Sequence, residues 1–289
     1  MNKLIKKCLV ILIAGQKGGA GKTSTCINIG GVMFGMDKTK QVIIDLDTQR
    51  SMVNWSTIFR DQKLHEINGF FPAVTPLVAG KSIEEMIELL SQSFDIIYLD
   101  TAGYIGDDSG SAKRILEQCI PLADVIVIPS RSVRSEVHSA IATIEFIESV
   151  LEDVVSPKKA TKVMLANALR GGERGYTYLQ NLLKEHYNFE QYTGWKLLDS
   201  FIPSSNALGK NMDLGGNLFV PRRINSLVLP YFNACKEIFD SQGVEYANQE
   251  TCEELVSRLS ENLKQMRKLN KAEAKAKAKA AAAEAAEEV

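Results

Sequence analysis

Apolar residues alternate along this chain between two patterns. Short runs rich in Val, Ile and Leu recur at Cys8–Ala14, Gln41–Asp47, Phe94–Asp100, Ala123–Pro129, Lys162–Ala166 and Lys196–Ile202. Runs of this length with both alternating faces apolar predict strands covered on two sides, as in a parallel sheet. Between them lie stretches with helical spacing. Residues 23–35 place Ile27, Ile29, Val32 and Met33 on a buried side, Ser82 with Glu85 forms a capping box opening a helix through Leu90, and Ser132–Leu151 reads as a long helix. Strands alternating with helices predict an α/β fold, a mostly parallel sheet with helices on both faces. Residues 61–80, with Pro72, Pro76 and Gly80, read as irregular. Lys3, Lys6 and Lys7 before Cys8–Ala14 imitate the charged and apolar regions of a signal peptide. That run continues into a glycine-rich loop whose chemistry would be lost on cleavage, so it reads as the first buried strand. No run approaches the ~18 apolar residues that span a bilayer.

The pattern changes towards the C-terminus. Leu255, Leu259, Leu263, Met266 and Leu269 form an amphipathic stripe with Lys264, Arg267, Lys268 and Lys271 nearby. Packing on the domain is the default reading, with a partner helix or a membrane-surface helix as alternatives. Lys271–Val289 contains only Lys, Ala, Glu and a final Val, and reads as a solvated tail. The expected organisation is therefore one large domain over residues 1–245, an amphipathic helix over 246–270 and a flexible tail over 271–289.

Composition narrows the picture. A chain of 289 residues can bury a substantial core, and a net charge of −1 shows no global preference for polyanions, so any nucleic-acid or membrane contact would be a local patch. The five cysteines form no C-x-x-C pair and read as reduced thiols of a cytosolic protein. The three histidines are scattered, so no His/Cys metal site is visible.

The candidate chemistry sits at the ends of the predicted strands. Gly15–Ser24 closes on Gly21-Lys22-Thr23, the ending of a phosphate-binding loop, between a strand and a helix. Glycines let the backbone curl so that N–H groups face phosphate oxygens. Lys22 reaches β- and γ-phosphates, the Thr23 hydroxyl suits Mg²⁺, and the helix adds its positive end. Gly18, Gly19, Ala20, Gly21, Lys22, Thr23 and Ser24 thus form a cradle for ATP with Mg²⁺. A glycine-rich turn matching by chance is disfavoured because loop, strand and helix agree. Asp45 and Asp47 end the second strand, where parallel sheets bind ligands, although a turn with two solvated aspartates would look the same. Asp100-Thr101-Ala102-Gly103 reads as a Walker B segment, with Asp100 on magnesium through water and Gly103 able to offer an N–H to the γ-phosphate. Tyr104–Ser111 reads equally as a nucleotide-ordered switch or a plain flexible loop.

Lys17-Gly18-Gly19-Ala20-Gly21-Lys22-Thr23 resembles the deviant Walker A signature KGGxGK[ST] of the ParA/MinD-type ATPases, closest to small plasmid-partition ParA proteins. Asp45-Leu46-Asp47-Thr48-Gln49 resembles that family's D-x-D-P-Q, with Thr48 where proline is usual, and Ala102-Gly103 departs from its proline-containing form. The resemblance covers roughly residues 8 to 240. It implies that Lys17 crosses a dimer interface to the partner's nucleotide, although alone it would read as a solvated lysine. It further implies that Asp47 orients the attacking water and that Asp45 supports the magnesium held by Thr23 and Asp100. The catalytic set is then Lys17, Lys22 and Asp47. Asn167 would contact adenine, with Pro203 in the loop at the nucleotide's edge, although an asparagine there also suits a turn.

The function implied is an ATP-dependent DNA partition ATPase. It would form a homodimer on ATP, bind DNA without sequence preference and be stimulated by a small centromere-binding or ParB-like adaptor, in the cytoplasm on the nucleoid. Lys210, Arg222, Arg223 and Lys236 are candidate DNA contacts or solvated charges. No helix-turn-helix is expected ahead of Cys8. A MinD-like membrane-surface ATPase and an accessory ATPase of conjugative DNA transfer are the alternatives. An iron–sulfur reductase on this fold needs a cysteine pair that Cys119 alone does not supply.

Overall fold

β1 (Leu9–Ile13) occupies the middle of a seven-stranded sheet in the order β3-β2-β4-β1-β5-β6-β7. Its partners are β2 (Gln41–Asp45), β3 (Ala73–Pro76), β4 (Ile96–Asp100), β5 (Val125–Ser130), β6 (Thr161–Leu169) and β7 (Trp195–Pro203), and every pairing is parallel. The computed structural model describes residues 8–37, 39–61, 73–103, 110–155, 158–206 and 227–242, with a few helical positions between 253 and 268. The connecting helices are α1 (Lys22–Asp37), α2 (Ser51–Asp61), α3 (Ile83–Ser91), α4 (Ser111–Cys119), α5 (Arg134–Glu152), α6 (Glu173–Tyr187) and α7 (Val228–Asp240).

Strand alternation sorts these helices onto two faces. Ile11, Ile13, Ile43 and Tyr98 point to the layer built by α1, α2 and α7, where Ile27, Phe59 and Phe239 are fully buried. Val10, Leu12, Ile44 and Leu99 point the other way, to Met86 of α3, Leu116 of α4, Ile144 of α5 and Leu179 of α6. The predicted apolar runs were continuous because both faces are covered. The Ser82–Glu85 capping box opens α3 as its spacing predicts.

The strand order positions the site. From β1 the chain passes through α1 to β2 on one side, and from β4 it passes through α4 to β5 on the other. The loops after β1, β2, β4 and β5 therefore meet around the carboxyl end of β1, where the winding reverses.

The structure departs from the sequence expectation in several places. β2 stops at Asp45 because that carboxylate accepts the Asp47 N–H and turns the chain. The stretch read as irregular contains β3, a short edge strand whose closing Pro76 is tolerated because nothing pairs beyond it. Helices α2, α4, α6 and α7 add to those the sequence analysis predicts, and α4 carries a strong amphipathic period. Residues 104–109 of the candidate switch, Lys210, Arg222, Arg223, the C-terminal apolar stripe and residues 271–289 lie outside the described residues.

The outer edge at β7 carries a local device. Between the pairs Met164/Leu197 and Ala166/Phe201, β6 contributes Leu165 while β7 contributes Leu198, Asp199 and Ser200. The bulge frees two backbone donors, and Glu237 of α7 accepts both, from Asp199 N at 2.8 Å and Ser200 N at 2.7 Å. Charge-assisted bonds of this kind contribute about 1.5–3 kcal/mol each when buried and less where water reaches them. Glu237→Ala should destabilise the fold by about 1–3 kcal/mol and Glu237→Gln by less, since one acceptor survives. Urea unfolding of the variants tests this, and a stability unchanged in Glu237→Ala would show that the bulge holds itself.

Candidate nucleotide-binding site

The loop between β1 and α1 is shaped by its glycines. Gly19 and Gly21 take φ of +78° and +90°, a region other residues seldom occupy. A Cβ at Gly21 would also fall 2.2 Å from the Asn167 amide nitrogen. The Gly21 carbonyl gathers the Thr25 N–H at 2.9 Å, the Thr25 hydroxyl at 2.7 Å and the Ser24 hydroxyl at 2.9 Å, fixing the entry into α1. Where the general phosphate-loop pattern opens with glycine, five residues ahead of Gly21, this chain has Gln16. Its N–H is instead tied to the Thr143 hydroxyl of α5 at 3.2 Å.

Neighbouring strands brace the loop from several sides. Arg131, just past β5, donates to the Gly19 carbonyl at 2.6 Å. Asn167, in β6, donates its amide to the Ala20 carbonyl at 3.1 Å. Gly103 lies so close that a Cβ there would come within 2.8 Å of the Gly18 nitrogen and 2.9 Å of the Gln16 oxygen. A side chain at residue 103 would push the loop out of shape.

Lys22 and Asp100 carry the electrostatics. The Lys22 ammonium folds back onto the Lys17 carbonyl at 3.1 Å and is buried. Burial lowers its pKa, against the attraction of Asp100 and Asp47. Thr23 donates its hydroxyl to Asp100 at 2.8 Å, and the other Asp100 oxygen is buried without a hydrogen-bond partner among the described residues. Burial raises the Asp100 carboxyl to about 7, and the Thr23 bond opposes the shift. A hydroxyl beside a carboxylate oxygen with no donor fits Mg²⁺, which takes one or two protein oxygens and completes its shell with water and phosphate. Among the described residues no cluster of three or more His, Cys, Asp or Glu could hold a metal by itself.

Asp45 is engaged differently. Its oxygens accept the N–H groups of Asp47 at 3.1 Å and Val53 at 2.9 Å, while burial pushes its pKa up. This carboxylate anchors the loop into α2, and Thr23 and Asp100 are the pair arranged for a metal. Asp47 is half-buried and accepts the Gln49 N–H at 2.8 Å in a tight turn.

Lys17 is neither free nor turned towards its own phosphate loop. Its ammonium pairs with Glu136, in the first turn of α5, at 2.9 Å, and the lysine side chain remains 42% exposed. Asn167 and Pro203 meet in the wall of a cleft of about 640 Å³ that also takes in Gly19, Gly21, Arg131 and Tyr231. Cys119, the last residue of α4, is fully buried. Sequence reasoning missed Arg131, Glu136 and Thr143. Arg131 alone carried a signal, since it follows a strand on the side where ligands bind.

A family model described as the CobQ/CobB/MinD/ParA nucleotide binding domain matches residues 11–216. Protein ParA of Rhizobium radiobacter is 25% identical over 212 residues, covering 72% of this chain and 84% of that protein. Among solved structures, the ATP complex of a Cyanothece McdA variant superposes with a TM-score of 0.57 at 17% identity, covering 84% of this chain and 99% of that one. A protein described as a plasmid partition protein of Borrelia burgdorferi, bound to AMPPNP, gives 0.54 at 16% identity, covering 82% and 100%.

The raised Asp100 pKa sets the pH dependence of the metal-free chain. Between the ordinary value of 3.8 and about 7, the folded state holds a proton that the unfolded chain has released. The stabilisation is full below about pH 4 and is lost as pH rises towards 7, at up to about 1.4 kcal/mol per pH unit. Asp100→Asn should lack this slope. Urea unfolding in EDTA at a series of pH values would show it, and equal slopes in the two proteins would remove Asp100 as the titrating group.

Proposed function

Because the chain belongs to the CobQ/CobB/MinD/ParA nucleotide-binding family, we propose that it is an ATP-dependent DNA partition ATPase, active as an ATP-bound homodimer and stimulated by a small adaptor protein. The observation that carries this reading is Lys17. It completes the KGGxGK[ST] signature, and its partly exposed ammonium is held beside the loop by Glu136, away from its own cradle. In the proposed dimer it meets the second subunit's nucleotide. The similarity to Protein ParA and the plasmid partition description of one structural relative support the same reading.

Lys22 places positive charge on the β- and γ-phosphates, in a pocket too dry to screen it. Thr23 and Asp100 would hold magnesium, whose charge would neutralise that of the phosphate oxygens. Asp47, half-buried at the end of the β2 loop, orients the attacking water, and Asp45 keeps that loop in place. Asn167 and Pro203 line the cleft that takes the nucleoside. DNA binding would use exposed cations such as Lys236 on α7 together with residues outside the described set. The proposed location is the cytoplasm, on the nucleoid. Among the described residues no helix is long and apolar enough to cross a membrane.

Asp47→Ala should bind ATP and lose turnover. Lys17→Ala should bind ATP yet fail to dimerise or to be stimulated, whereas Glu136→Gln, which only releases the lysine, should dimerise at least as well as the unaltered chain. Sedimentation with ATP and with ADP, beside a phosphate-release assay, tests the set. Dimerisation of Lys17→Ala would leave that residue a surface lysine and the reading without its support.

DNA affinity should require ATP, show little sequence preference and fall steeply with salt, by about 10³–10⁵-fold between 50 and 200 mM if some 6–10 phosphates are contacted. Filter binding over a salt series with and without ATP measures it, and equal binding without ATP would remove the switch.

A further inference from the structure

Arg131 combines features that the roles assigned so far leave unused. It follows β5 directly, one strand over from the loop, and Nη2 donates to the Gly19 carbonyl at 2.6 Å. Its Nε is buried and finds no acceptor among the described residues. A buried N–H without a partner costs about 1–3 kcal/mol, so such a donor is kept where something else supplies the acceptor. The cleft on which Arg131 opens also carries Arg170, and among the described residues no carboxylate lines it. That wall suits an anion. Thr23 and Asp100, which mark the magnesium and therefore the β/γ end of the nucleotide, lie on the β4 side of the loop. Arg131 lies on the β5 side, facing the nucleoside cleft.

We propose that Arg131 is a nucleotide-binding residue: its guanidinium bridges the Gly19 carbonyl and an oxygen of the α- or β-phosphate, coupling loop shape to occupancy of the cleft. The planar fork of an arginine can serve a carbonyl and a phosphate at once, which a single ammonium cannot do in that geometry. The inference rests on the ATP-site reading above. Because the contact is to phosphates that ATP and ADP share, Arg131 contributes equally to both, and it does not report the γ-phosphate.

The test uses the full chain with ATP or ADP and Mg²⁺ by titration calorimetry, for the unaltered protein, Arg131→Gln, Arg131→Lys and Lys22→Ala, with nucleotide-free melting curves for each. Glutamine can still reach the Gly19 carbonyl but has no charge. Arg131→Gln should raise Kd for ATP and ADP alike by about 10–100-fold, the loss of a charge-assisted bond. Arg131→Lys should lose less, and the nucleotide-free melting temperature should fall by no more than about 4 °C. Unchanged affinity in Arg131→Gln overturns the inference, as does a loss confined to ATP. Equal losses in both variants that track a fall in melting temperature make Arg131 a brace of the loop alone and overturn it too. If the unaltered chain binds neither nucleotide, or Lys22→Ala binds as well as it does, the ATP-site reading fails and the Arg131 contact with it.

Discussion

Two buried charges of opposite sign, Lys22 on α1 and Asp100 at the end of β4, set the terms for the rest of this structure. Taking an ammonium and a carboxylate out of water costs several kcal/mol per ion, and direct pairing would repay much of it. Here each is engaged elsewhere. Lys22 bonds a loop carbonyl and Asp100 bonds the Thr23 hydroxyl, with one of its oxygens left over. The opposed shifts, Lys22 lowered and Asp100 raised to about 7, are what desolvation does to groups whose full counter-charge is absent. In the proposed function a magnesium nucleotide would supply both counter-charges at once, anion for the lysine and cation for the aspartate.

The sheet bears that cost. β1 lies between β4 and β5 with apolar layers on both faces, so the loops carrying Lys22, Asp100 and Arg131 spring from strands that cannot slide. The loop itself is tied by side chains from elsewhere in the fold: Thr143 on Gln16, Arg131 on Gly19 and Asn167 on Ala20. The ties engage one N–H and two carbonyls of the loop and fix its path between β1 and α1. The same economy governs Asp45, whose carboxylate holds two amides of the β2–α2 turn and so presents Asp47. Glu237 does the equivalent at the far edge, closing two donors that would otherwise leave β7 open to pairing.

Lys17 is held beside the loop by a contact weak enough to give up. Its pair with Glu136 is partly exposed and therefore weak, in the range of about 0–1 kcal/mol typical of such pairs. A contact of that strength positions the lysine near the loop without committing it. In the proposed dimer, a triphosphate carried by the second subunit would present far more charge than one carboxylate, so an exchange of partners would run downhill.

What the sequence determined by itself was everything governed by short-range pattern. The six apolar runs fixed the parallel sheet, because continuous Val and Ile are tolerated only where both faces are covered. Gly18–Ser24, Asp47 and Asp100 stood out as candidates because a phosphate loop and its companion carboxylates are recognised by spacing along the chain. What only the tertiary structure decided depends on residues brought together from distant positions. The Arg131–Gly19 bond spans 112 positions and the Asn167–Ala20 bond 147, and no local signal announces such a contact. Which face of the sheet receives the helices α2, α4, α6 and α7 was likewise decided by the fold. The resemblance gave Asp45 to the magnesium shell and Asp47 to the attacking water. Only the fold turned the Asp47 and Val53 amides onto Asp45 and the Gln49 amide onto Asp47, because these bonds depend on how the chain bends after β2.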